Sequence, residues 1–149
     1  MVKKAKHFEI YELVGATVYD KYGEQAWRFL DPRLIDNIDW VRENLGKTTV
    51  NNWYWGGRFD ERGLRDNTQP IFKGKTQRGQ LYLSGHVLGM AADFDVEGMT
   101  AQQVREWIIA HKDSLPHPVR FEWKKDGEYI TWVHMDVEDM GTKIYKFNV

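Results

Sequence analysis

The sequence predicts an α+β domain with a mainly antiparallel sheet and flanking helices. Three observations carry this expectation: helical patterns come early, β-patterned stretches come late, and one further helix is inserted between strands. At 149 residues the chain is long enough for one domain, spanning 1–149, with a proper core.

Residues 7–30 mix Phe8, Ile10, Leu13, Val14 and Val18 with polar side chains and end in Trp27-Arg28-Phe29-Leu30. That pattern fits one helix or two short pieces broken at Gly23. Asp31-Pro32 then sets a helix start, since Asp caps well and Pro suits the first helical position. Leu34, Ile35, Ile38, Val41 and Leu45 recur at helical spacing and Gly46 follows as a stop, giving a helix over 32–45. Thr48 to Trp53 reads as a strand from its β-branched content. From Tyr54 to Leu83 the chain is polar, glycine-bearing and rich in Arg and Lys. A connection this long in a compact domain is either a binding loop or a mobile excursion.

Phe94-Asp95-Val96 completes a strand after Asp93. Thr100 and Gln103 form a capping box, and Val104, Trp107, Ile108 and His111 share one face of the helix that follows. His111 on that stripe reads as a packing or boundary residue, and His117, between Pro116 and Pro118, as a loop residue. Val119 to Trp123, a turn at Lys125-Asp126-Gly127, and Tyr129 to Glu138 suggest a hairpin. Thr142 to Asn148 is expected to add a closing edge strand.

Composition narrows the function. The net charge of −1 gives no reason to expect nucleic acid or a membrane as the main partner. No stretch approaches the roughly 20 apolar residues of a membrane span, and no signal-peptide core follows the basic start. The expectation is a chain made in a cytoplasm and, unaided, kept there; a monomer is expected. The absence of Cys excludes disulfides and thiolate ligands, so any metal must be held by His, Asp or Glu. Seven Trp can line a groove, although most Trp in a small domain fill its core.

The chemistry concentrates in Ser84-Gly85-His86-Val87-Leu88-Gly89-Met90-Ala91-Ala92-Asp93 and in Trp132-Val133-His134-Met135-Asp136. His86 and Asp93 are seven apart, an odd spacing that puts them on opposite faces of a straight strand. The chain must therefore turn between them, and Gly89 can take the unusual φ. On a strand, Val133, Met135 and Val137 form an apolar face, leaving Trp132, His134 and Asp136 on the other. Two His and one carboxylate leave a position open for water, as in a catalytic zinc site. The alternative is that they are unrelated polar residues in an α+β domain without metal.

The first segment resembles the S-x-H-x-x-G-x-A-x-D signature of the zinc D-Ala-D-Ala peptidases, with every specified position matched. That group includes bacterial DD-carboxypeptidases, phage L-alanyl-D-glutamate endolysins and, more distantly, the Hedgehog signalling domain. Trp132-Val133-His134 is similar to the family's second motif. His7-Phe8-x-x-x-Glu12 and the helix before Val50 also resemble members' N-terminal halves. The resemblance implies a Hedgehog/DD-peptidase-like fold and one Zn2+ per chain on His86, Asp93 and His134. It also implies hydrolysis of an amide in a peptidoglycan peptide by a zinc-activated water.

Many members place an acidic base three residues before the last His, where this chain has Thr131. Glu128, six before His134, resembles the Hedgehog placement, yet six residues of straight strand span roughly 20 Å, so a bulge or loop is required. Glu128 is therefore expected as base and Asp136 as the carboxylate that orients His134. The family's Arg for a substrate carboxylate suggests Arg58 or Arg65. Ser84 is a candidate hydrogen-bonder near substrate or a turn cap, and Trp132 a pocket wall or core residue. Two readings follow: a cell-wall peptidase, such as a phage lysin released through a separate pore, or a silent Hedgehog-like zinc module that binds a partner, such as a phage structural component.

Overall fold

A computed structural model describes residues 1–149. Two short helices, α1 (Ile10–Leu13) and α2 (Ala16–Tyr22), lead into a 3-10 turn over Gly23–Phe29. The expected break at Gly23 is there, at a φ of 50°. Helix α3 (Pro32–Leu45) starts where Asp31 Oδ1 accepts the Arg33 amide at 2.8 Å and stops at Gly46. Its apolar stripe, Leu34, Ile35, Ile38 and Val41, is buried.

Strand β1 is shorter than its β-branched sequence predicts, covering only Thr48–Thr49. Asn51 ends it by turning its amide inward, donating to the Val14 carbonyl and accepting from the Arg62 amide. The polar excursion after Tyr54 contains helix α4 (Pro70–Gln77), which its weakly apolar sequence hides. Strand β2 (Ala91–Val96) and helix α5 (Ala101–Ala110) follow, with the Thr100–Gln103 capping box formed.

The predicted hairpin is broken in two. Strands β3 (Val119–Glu122) and β6 (Val133–Asp136) pair near the core, while β4 (Lys124–Lys125) and β5 (Glu128–Tyr129) form a separate tip. Phe121 faces Met135, so a continuous register would set Lys124 against position 132; it faces Tyr129, three positions earlier. The three surplus residues make a bulge around Ile130–Trp132. Arg105 of α5, fully buried, donates to the carbonyls of Ile130 and Trp132 at 2.7 and 2.9 Å and fixes that bulge.

Strand β7 (Ile144–Phe147) closes one edge as expected, but runs parallel to β3. The fold is α+β, with a five-stranded, mostly antiparallel sheet ordered β1-β2-β6-β3-β7. One contiguous core joins Ile35, Ile38, Val104 and Ile108 to the sheet residues Phe94, Phe121, Val133 and Met135. The other face of the sheet carries the polar side chains of β2, β3 and β6 by strand alternation. No helix is long and apolar enough to cross a membrane.

Candidate metal centre

Sheet register brings the predicted ligands together. Asp93 on β2 stands directly opposite His134 on β6. His86 arrives from the preceding loop, which turns back over the same face. Gly89 makes that turn at a φ of 71°, where an added Cβ would lie 1.9 Å from the carbonyl oxygen of Phe29. Only glycine satisfies both the angle and the contact. The motif thus places His86 by backbone geometry, as the spacing argument requires.

His86, Asp93 and His134 are all buried, and one ligand atom from each lies within 4.8 Å of the others. They form a group able to hold a metal ion. Asp93 Oδ1 is 3.2 Å from His86 Nε2 and 2.8 Å from His134 Nδ1. Bonds of about 2.0–2.2 Å set tetrahedral zinc ligands roughly 3.4 Å apart, so the donor set fits with little adjustment.

Each imidazole is fixed through its far nitrogen. His86 Nδ1 lies 2.9 Å from the carbonyl of Gly63, which can only accept, so Nδ1 carries a proton and Nε2 is the nitrogen turned to Asp93. His134 Nε2 lies 2.9 Å from Asp136 Oδ2. Asp136 is fully buried and accepts also from Arg120 Nε, Arg120 Nη2 and the Glu138 amide. Its oxygens are saturated, so it orients His134 and has no lone pair to spare for a proton-transfer role.

The field favours positive charge at this point. Burial opposes ionisation of His134, but hydrogen bonds to Asp136 and Asp93 prevail and its pKa is pushed up to about 10. Burial likewise raises Asp93, but the two histidines outweigh it and hold the carboxyl well below the usual range. A divalent cation can take the place of the imidazole proton between these carboxylates.

No known protein family, curated protein or solved structure matches this chain.

The three side chains line a cavity of about 430 Å³, whose walls include Ser84, Glu122 and Trp132. Trp132 is 40% exposed, so it is a wall and not core. Ser84 Oγ is buried with no hydrogen-bond partner in the protein, which does not fit a turn cap. Arg65 reaches the same cavity, anchored on the Glu61 carbonyl and Tyr82 hydroxyl, with Nη2 at 3.6 Å from Asp93 Oδ2. An adjoining cavity of about 450 Å³ shares Arg65, Asp93 and Trp132 and adds Arg58, Arg62 and Thr131. Arg58 therefore stands in the neighbouring cleft and Arg65 between the two.

Glu128 is exposed on the β4–β5 tip, opposite Lys125, and is not among the side chains lining either cavity. The bulge that its role requires does form, but at Ile130–Trp132, and it leaves Glu128 on the tip side. Three groups beside the centre have no motif in the sequence to mark them: the Gly63 carbonyl, Arg120 and Glu122. Arg120 and Glu122 share a face of Val119–Glu122 by alternation, a readable signal. Their partners were not readable, because the bulge shifts the hairpin register.

Proposed function

We propose that this chain is a zinc-dependent peptidase, of Hedgehog/DD-peptidase type, acting on amide bonds of peptidoglycan stem peptides. One observation carries the reading: two imidazoles, each held through its far nitrogen, converge with a carboxylate at the wall of an open cavity. A structural site would bury four protein ligands. Zinc held there would supply a water of lowered pKa and polarise the scissile carbonyl. Gly63 holds His86 with Nε2 turned to Asp93, while Asp136, held by Arg120, keeps His134 Nδ1 turned to the same carboxylate. Arg65 and, farther along the cleft, Arg58 carry charge for a substrate carboxylate, and Trp132 forms an apolar wall. The motif resemblance supplies the cell-wall substrate.

Metal content by mass spectrometry, with hydrolysis of purified muropeptides, tests the proposal on wild type and His134→Ala. One zinc per wild-type chain, lost in the variant together with hydrolysis, is expected. A wild type that takes up no zinc from excess metal overturns it. A silent zinc module that binds a peptide or protein partner is the second reading, favoured by Thr131 where relatives of the motif carry an acid. Zinc binding without any muropeptide cleavage would select it.

A further inference from the structure

We infer that Glu122 is the proton-transfer residue of this centre, supplied by strand β3 instead of by the strand that carries His134. The inference rests on the peptidase reading above.

The sheet register carries the argument. Arg120 pairs with Asp136 and Phe121 with Met135, so the next step along β3 sets Glu122 beside His134. On the other side of β6, His134 pairs with Asp93. Asp93, His134 and Glu122 therefore form one cross-strand row over three adjacent strands, on one face. The row two residues along is Ala91, Asp136 and Arg120. One row holds and serves the cation; the other orients His134.

Distance gives Glu122 its place within the row. Its Oε1 lies 3.9 Å from His134 Nδ1, the nitrogen turned to Asp93. It stands beside the His86–Asp93–His134 group but outside it, in reach of a water that shares the centre. Its side chain is 22% exposed and lines the cavity.

Outside the candidate ligand group, the other acids on the walls of this cavity are engaged, as is Asp95 in the adjoining one. Asp136 is saturated, Glu138 pairs with Arg120 at 3.2 Å, and Asp95 accepts from Arg62 at 2.9 Å. Glu122 makes no ion pair with Lys or Arg and accepts no side-chain hydrogen bond, so its lone pairs are free for a proton. Thr131 leaves the usual acid position empty of a carboxylate, and Glu122 restores one from the neighbouring strand.

In the step, the Glu122 carboxylate takes one proton from water as the water oxygen bonds to the scissile carbonyl carbon. That proton passes to the amide nitrogen as the C–N bond breaks. The products are a free amine and a carboxylic acid, and Glu122 returns to carboxylate.

Glu122→Gln and Glu122→Asp, zinc-loaded alongside wild type, test this with three readouts: zinc content, muropeptide hydrolysis, and proton release when acetohydroxamate binds. The last is read by calorimetry in buffers of different ionisation enthalpy and needs no turnover. Glu122→Gln should keep its zinc, lose hydrolysis on the order of 100-fold or more, and release about one more proton to buffer on binding acetohydroxamate. Glu122→Asp should fall between the two. Hydrolysis within a few-fold of wild type, an unchanged proton count, or loss of zinc from Glu122→Gln would each overturn the assignment, the last making Glu122 a ligand. A wild type that holds zinc but cleaves nothing removes the peptidase reading instead, while the proton count still decides what Glu122 does.

Discussion

Asp136 Oδ2 lies 2.9 Å from His134 Nε2, and the guanidinium of Arg120 grips the same carboxylate at 2.8 and 3.0 Å. This chain of contacts decides which nitrogen of His134 faces Asp93. It also explains why a carboxylate two residues from His134 is fully buried: its charge is paired on both sides.

Asp136→Asn keeps the shape but weakens the grip on His134. Zinc affinity, measured by competition with a chromophoric chelator, should fall by roughly 10–100-fold, the usual cost of losing a ligand's orienting partner. Unchanged affinity would mean that His134 is held by packing alone.

Metal removal should be visible in stability, because the ligands come from a loop and two strands that unfolding separates. A ligand at 1,000 times its dissociation constant stabilises by about 4 kcal/mol. For a chain of this size that corresponds to a rise in melting temperature on the order of 10 °C. Differential scanning fluorimetry with added zinc and with EDTA checks it, and His86→Ala should abolish the response.

Arg105 is buried without a carboxylate partner, and burial pushes its pKa down. Its role is to satisfy the two carbonyls of the bulge. Arg105→Met removes a buried charge but strands both acceptors, each worth about 1–3 kcal/mol. A net loss of about 2–4 kcal/mol is expected from urea unfolding. A smaller loss would show that water reaches the Ile130 and Trp132 carbonyls.

Asp31 caps α3, and hydrogen bonds from Arg33 lower its pKa below the usual carboxylate value despite partial burial. A depressed folded pKa gives stability that is present above about pH 4 and lost as pH falls through the lower folded value. Asp31→Ala should cost about 1 kcal/mol at neutral pH, and its deficit relative to wild type should shrink in acid. Chemical unfolding at pH 7 and near pH 3 measures both.

Helix α3 and the Thr100–Gln103 capping box were legible because caps, periodicity and stops act within a few residues. His86, Asp93 and His134 are legible as a candidate metal group for a related reason: a glycine turn between His86 and Asp93 is a local necessity. Strand β1 is shorter than its sequence predicts because Asn51 bonds to Val14 and Arg62, neither a local partner. What only the tertiary structure decided is who stands beside whom across the sheet. Glu128 belongs to the His134 strand region in sequence yet sits on the separate β4–β5 tip, while Glu122, twelve positions before His134, stands beside it. The reason is the bulge at Ile130–Trp132, held by an arginine from another helix. Inserting three residues on one side of a hairpin moves every partner beyond it, and no local pattern records the shift.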